Sequence, residues 1–222
     1  MAEVLVTGGD TELGRAIAAG YKSAGHNVVI AGARRDDLEI TAKELELESI
    51  VFDNTDAAGL ADARSAFPHY LDTLVNVPAP RWEAKDPRTF TFVDHAAAWH
   101  NTLDSTVASA ALTIQVVGDQ LRSGGSIINI VPEDHTAIGT AIKATLSAWT
   151  AGQAEYFGTR GITVNAVASG LSAQPGYDGL THTPPAAVDE FARLAVFLST
   201  PAARHITGQT LHVSRGALAT LG

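Results

Sequence analysis

The chain has 222 residues, no cysteine and a net charge of −9, which suits one α/β domain with a sizeable core. The lack of cysteine excludes disulfides and thiolate catalysis, and the acidic balance argues against nucleic acid or an anionic membrane surface as a partner. No apolar run approaches the roughly 20 residues that span a bilayer, so we expect a cytoplasmic protein.

Short β-branched runs alternate with longer alanine- and leucine-rich stretches along the chain. Strands are predicted at Glu3–Thr7, Asn27–Gly32, Ser49–Asp53, Thr73–Val77, Gly125–Val131, Ile162–Val167 and Thr210–Val213. Helices are predicted at Thr11–Ala24, Arg35–Glu46, Ala57–Phe67, Val93–Arg122, Ala141–Gly158 and Ala187–Ser199. Strict alternation predicts a single domain, residues 1–222, with a parallel sheet and helices on both faces.

A glycine-rich turn follows the first strand, in the segment Thr7–Gly14 (TGGDTELG). Such a turn between a strand and a helix can bring backbone N–H groups to a pyrophosphate at the helix N-terminus. The segment resembles the pattern T-G-x-x-x-G-x-G of the short-chain dehydrogenase/reductase family, with Glu12 at the middle glycine. The stretch KATLSAWTAGQAEYFGTRGITVNAVASG, which begins at Lys143, and the segment Arg193–Val213 resemble the second half of the same family.

The resemblance implies a Rossmann-like, doubly wound sheet of about seven strands, in the order 3-2-1-4-5-6-7, between two helical layers. It also implies an NADP or NAD cofactor and hydride transfer between a nicotinamide and a carbonyl or alcohol. The cofactor-binding residues that it implies are Thr7, Gly8, Glu12, Leu13, Gly14, Arg34, Arg35, Asp53, Asn76, Lys143 and Gly170.

The two arginines after the second strand favour NADP, because no acidic residue closes that strand to bind a ribose 2′-hydroxyl. The alternative is that Arg34 and Arg35 are a solvated start to the next helix. Glu12 also allows two interpretations. Its charge could partly replace the phosphates while Asp10 or Thr11 caps the helix, or it could point to solvent and leave room for the cofactor.

The catalytic set of the family is only partly present. The family uses a tyrosine as proton donor, a lysine four residues later, a serine and an asparagine. Lys143 matches the lysine and Asn101 matches the asparagine, but Gly139 stands at the tyrosine position and Pro132 at the serine position. No tyrosine or serine lies between Pro132 and Lys143.

The loop before Gly139 offers other proton-transfer groups, namely Glu133, Asp134 and His135. His135 is the best candidate, because a histidine ordinarily titrates near pH 6.5, at about physiological pH. The alternative is that this loop is merely polar and exposed to solvent. The histidines show no zinc-binding spacing, so no metal site is predicted.

Two functions therefore stay open. The first is a dehydrogenase scaffold with a degenerate site, kept as a weak or non-catalytic binding or assembly protein. The alternative is an atypical NADP(H)- or NAD(H)-dependent oxidoreductase that acts on a carbonyl or alcohol without the tyrosine. The resemblance also implies a homo-oligomer, a dimer or tetramer, that forms through the helices Val93–Arg122 and Ala141–Gly158 and the C-terminal helix and strand.

Overall fold

The computed structural model describes residues 1–79, 87–131, 134, 136–169 and 188–213. The predicted site positions Pro132, Glu133, His135 and Gly170 lie outside these ranges. Within them, no helix combines the length and the apolar composition that crossing a bilayer requires.

Seven parallel strands form one sheet in the order β3-β2-β1-β4-β5-β6-β7. They are β1 Glu3–Val6, β2 Asn27–Gly32, β3 Glu48–Val51, β4 Leu71–Asn76, β5 Leu121–Val131, β6 Thr163–Ser169 and β7 Thr210–Val213. The predicted fold class and strand order are confirmed. The order reverses between β1 and β4, which is the switch point where doubly wound sheets bind ligands.

Seven α-helices are present in the described part of the chain. They are α1 Glu12–Ser23, α2 Arg35–Leu45, α3 Ala57–Ala63, α4 Phe92–Leu103, α5 Ser109–Val117, α6 Ala137–Gly158 and α7 Val188–Leu198. Both faces of the sheet are covered. One core layer packs α1 and α7 on the side chains of Val4 and Val6, and the other packs α5 and α6 on Leu5. Buried side chains on both faces explain the near-continuous apolar strands.

The prediction of one helix over Val93–Arg122 was wrong. A π-helical turn, Asp104–Ala108, separates α4 from α5, and Arg122 belongs to β5. The side chain of Leu121 is buried beside β4, while the guanidinium of Arg122 bonds Asp72 at 2.7 Å. These contacts with the sheet draw the segment into a strand despite its helical pattern.

The start of α6 also lies earlier than predicted, at Ala137 rather than Ala141. The hydroxyl of Thr136 accepts the N–H of Gly139 at 3.0 Å and so caps this end of the helix. Lys143 therefore lies in the second turn of α6 and not in its first.

Candidate active site

The turn between β1 and α1 has the compact form that two glycines allow. Gly8 has φ +61°, and a Cβ there would lie 2.5 Å from the carbonyl oxygen of Val77. A Cβ at Gly14 would overlap the carbonyl oxygen of Gly8. The two glycines thus let the first turn of α1 pack directly on the end of β1, which is the packing that a dinucleotide-binding turn requires.

The N-terminus of α1 is capped by Thr11, one of the two predicted candidates. Its hydroxyl accepts the N–H of Gly14 at 3.0 Å and donates to the carbonyl of Gly8 at 2.7 Å. Among the described residues, the backbone N–H groups of Glu12 and Leu13 have no acceptor. Glu12 is exposed. The end of the helix therefore keeps two donors for an anion.

Asp10 does not cap the helix but binds the first of the two predicted arginines. Its carboxylate is 1% exposed and accepts both the backbone N–H and Nε of Arg34 at 3.1 Å. Asp37 lies 3.3 Å from the same guanidinium, and Arg35 pairs with Glu39. Both arginine charges are thus partly compensated by carboxylates.

A cleft extends from this turn along the ends of β2 and β3. It is lined by Thr7, Gly8, Ala31, Gly32, Ala33, Phe52, Asn54 and Ala79. The carboxylate of Asp53 accepts the N–H and the hydroxyl of Thr55 at 2.8 and 2.6 Å, so it shapes the turn after β3. Asp53 is thus next to the cleft, whereas Phe52 and Asn54 line it and were not predicted. Their position directly beside a predicted strand end was the available signal.

A line of buried side chains crosses the sheet beneath the middle of the site. Asn76 donates to Asn129 at 2.9 Å, and Asn129 donates to Thr150 on α6 at 3.0 Å. The other amide atom of Asn76, Oδ1, is buried without a hydrogen-bond partner in the described chain. The Asn76 side chain therefore joins β4 to β5 and so fixes the end of β4 at the switch point.

Lys143 reaches the carboxyl end of β6. Its Nζ donates to the carbonyl of Ser169 at 2.6 Å, and burial lowers the pKa of its amino group. His212 on β7 lies opposite Ala168 of β6, and its imidazole interacts electrostatically with the positive charge of Lys143. Burial, and secondarily the charge of Lys143, lower the pKa of His212 from its ordinary value of 6.5. The sequence interpretation missed His212, because only the pairing of β6 with β7 brings it near Lys143.

Asp134 fills the space that a side chain at position 139 would enter. Gly139 is buried in the first turn of α6, four residues before Lys143. A Cβ added there would overlap the side chain of Asp134, with Oδ2 only 2.5 Å away. The other carboxylate oxygen of Asp134 accepts the N–H of Thr136 at 2.8 Å. The sequence reveals a missing tyrosine, and the structure shows a carboxylate in the space where that side chain would begin.

Asn101 lies in the last turn of α4, where it is exposed, and no described hydrogen bond connects its side chain to Lys143. The π-helical turn follows it and contacts α6. Such turns occur frequently at functional sites. In the ranges that the structure covers, no cluster of three or more histidine, aspartate or glutamate side chains could hold a metal ion.

The sequence matches known proteins along almost its whole length. Residues 10–217 match the family described as enoyl-(acyl carrier protein) reductase. A Mycobacterium tuberculosis (strain H37Rv) protein, provisionally named an oxidoreductase, is 61% identical over 99% of this chain and 100% of its own length. The 3-oxoacyl-(acyl-carrier-protein) reductase of Staphylococcus aureus is 30% identical, with 96% of each chain covered.

Solved structures share the fold. A short-chain dehydrogenase/reductase of Serratia marcescens superposes with a TM-score of 0.76 at 26% identity, over 96% of each chain. L-sorbose reductase of Gluconobacter frateurii, solved with NADPH and L-sorbose, has a TM-score of 0.80 at 22% identity. The match covers 99% of this chain and 97% of that one.

The overlap at Gly139 predicts a non-additive effect on stability. Alanine normally stabilises a helix by about 1 kcal/mol relative to glycine. Gly139→Ala should instead destabilise the protein by about 1–3 kcal/mol, because the new methyl group displaces Asp134. In an Asp134→Gly background this cost should disappear, because glycine removes the Cβ of residue 134 as well as its carboxylate, and Cβ, Cγ and Oδ2 all lie within 2.5 Å of the added Cβ. Urea unfolding of the four proteins measures the coupling.

Gly152→Ala is the matched control, since it lies in the same helix and its added Cβ meets nothing within 4 Å. Equal stabilisation by Gly139→Ala and Gly152→Ala would show that Asp134 does not occupy the site.

The effect of Lys143 on His212 can be measured directly. Lys143→Met should raise the pKa of His212, because it removes a nearby positive charge. The pKa should stay below 6.5, because burial is the larger cause. NMR titration of the histidine ring protons, assigned with His212→Gln, measures this. Lys143→Arg keeps the charge and should leave the pKa lowered; an unchanged pKa in Lys143→Met would contradict the assignment.

Proposed function

The chain belongs to the short-chain dehydrogenase/reductase family, and we propose that it is an oxidoreductase that binds a nicotinamide dinucleotide and works without the family's tyrosine. The observation that carries the proposal is at the N-terminus of α1, where backbone N–H groups remain available to an anion. The N–H groups of Glu12 and Leu13 have no described acceptor, and Glu12 is exposed beside them. This supports the interpretation in which Glu12 faces solvent and leaves room for the phosphates.

Residues at both ends of the site suit such a ligand. The cleft between Gly8, Gly32 and Phe52 suits an adenosine, because it is walled by backbone and an aromatic ring at the carboxyl ends of β1, β2 and β3. Lys143, near the end of β6, would hold the ribose at the other end. Solved proteins of the same fold, among them L-sorbose reductase and a metagenomic blue fluorescent protein, were obtained in complex with NADPH.

The ion pairs around Arg34 bear on the choice between NADP and NAD. A 2′-phosphate near Arg34 would also approach the carboxylates of Asp10 and Asp37. These carboxylates offset the attraction that the sequence attributes to the arginine, since like charges repel. The preference for NADP therefore stays a prediction, and titration with both reduced dinucleotides decides it.

A second candidate function is that of an assembly protein, for which the outer face of α4 offers a contact surface. Phe92, Val93, Trp99 and Leu103 are 95%, 78%, 45% and 38% exposed. An apolar helix face of this kind is typical of an interface. We propose that it forms a homo-oligomer with α6, as predicted for these two helices. The interface is compatible with either function, and cofactor binding distinguishes them.

The proposed function predicts micromolar binding of NADH or NADPH by isothermal titration calorimetry. Glu12→Gln should strengthen this binding about 2–5-fold, because it removes a negative charge next to the phosphate donors. Glu155→Gln carries the same change at an exposed position near the far end of α6 and should have no effect. Absence of binding in both the wild type and Glu12→Gln would favour the assembly protein.

The proposed interface predicts a change in oligomeric state. Trp99→Glu should shift the protein from a dimer or tetramer to a smaller species, because it places a charge in an apolar contact. Light scattering after size-exclusion chromatography measures the mass. Ile40→Glu, on the exposed face of α2, is the matched control and should keep the wild-type mass. An unchanged mass in Trp99→Glu would exclude this face as the interface.

A further inference from the structure

We propose that the carboxylate of Asp134 replaces the tyrosine as the proton-transfer group, and that it accepts the proton when an alcohol is oxidised. This inference rests on the proposed function, since the hydride that leaves the alcohol needs an oxidised nicotinamide. It differs from the sequence-based expectation, which favoured His135.

The geometry of α6 carries the assignment. Position 139 is four residues before Lys143, so side chains at the two positions lie on the same face of the helix. A tyrosine at 139 would leave the backbone along the Cα–Cβ bond. The volume at the start of that path is occupied by Asp134, whose Cβ, Cγ and Oδ2 all overlap or crowd the added Cβ. The carboxylate thus stands where the family's tyrosine side chain begins.

The position of Asp134 is fixed by its own contacts. Oδ1 accepts the N–H of Thr136 at 2.8 Å, and Thr136 in turn caps α6 through Gly139. One carboxylate oxygen therefore anchors the group to the start of the helix. The other oxygen, Oδ2, lies against Gly139 and is the atom that we assign to proton transfer. Asp134 is exposed, so a proton taken from a substrate can pass on to water.

A carboxylate can carry out the proton transfer that the phenol carries out in the family. An ionised carboxylate accepts a proton, and once protonated it can return that proton in the reverse reaction, as a phenol does. In the proposed step the O–H bond of the alcohol breaks and its proton goes to Oδ2 of Asp134. The C–H bond breaks with its electron pair, which passes as hydride to the oxidised nicotinamide. The alcohol becomes a carbonyl and the nicotinamide is reduced.

A binding experiment tests the position of the carboxylate without a substrate. The oxidised nicotinamide ring is positively charged and the reduced ring is neutral, so a nearby carboxylate favours the oxidised form. Isothermal titration calorimetry with both forms of the dinucleotide that binds better measures the ratio of the two affinities. Asp134→Asn should lower the affinity for the oxidised form about 3–10-fold relative to the reduced form.

Asp134→Asn keeps an Oδ1 acceptor for the N–H of Thr136, so the start of α6 should stay intact. Asp119→Asn is the control for charge, because Asp119 is 90% exposed just before β5, at the opposite end of the sheet. An equal change in both affinities, or none, in Asp134→Asn would overturn the inference while leaving the proposed function standing. A wild type that binds neither form would overturn both.

Turnover provides the second readout. NADH or NADPH formation from 2-propanol, 2-butanol and cyclohexanol should fall about 10²–10⁴-fold in kcat in Asp134→Asn, the range expected for loss of a general base. Asp119→Asn should retain wild-type turnover. Oxidation that survives unchanged in Asp134→Asn would rule out Asp134 as the proton acceptor.

Discussion

The register between parallel strands is the constraint on which the rest of the site depends. Because every strand runs in the same direction, residues far apart in sequence end at one edge of the sheet. Asn76 pairs with Asn129, and Ala168 pairs with His212, so the switch point and the Lys143 region are fixed relative to each other. The hydrogen bonds from Asn76 through Asn129 to Thr150 tie this register to α6. A shift of one residue would turn these side chains to the opposite face.

Carboxylates stand beside cationic or phosphate-binding groups at both ends of the site. At the nucleotide end, Asp10 partly compensates the charge of Arg34, and Glu12 adds a negative charge to the helix end that would hold phosphate. At the other end, Asp134 lies against Gly139, which is one helical turn before Lys143. The first arrangement weakens the attraction for an anion, whereas the second supplies a base. The same residue type thus has opposite consequences at the two ends.

The sequence was sufficient for the sheet but not for the side-chain contacts around it. The parallel sheet and the glycine-rich turn follow from local patterns, and the strand order follows from the family resemblance. The sequence left the cap of the first helix open between Asp10 and Thr11, and the structure assigns it to Thr11. The helix predicted over Val93–Arg122 was wrong, because contacts with β4 override a helical pattern at its end. The Asp10–Arg34 pair and the proximity of Lys143 to His212 join residues 24 or more positions apart, so no local spacing indicates them.

Gly139 shows why a missing residue is a poor guide to lost function. From the sequence, the glycine is a deletion of the reactive group. In the structure, the glycine leaves room for the side chain of Asp134, because any Cβ at position 139 would collide with Asp134 in its present position. A tyrosine at 139 and this position of Asp134 therefore exclude each other. Only one of positions 134 and 139 can place a side chain in this space. The residue that does so determines the chemistry that is available to the site.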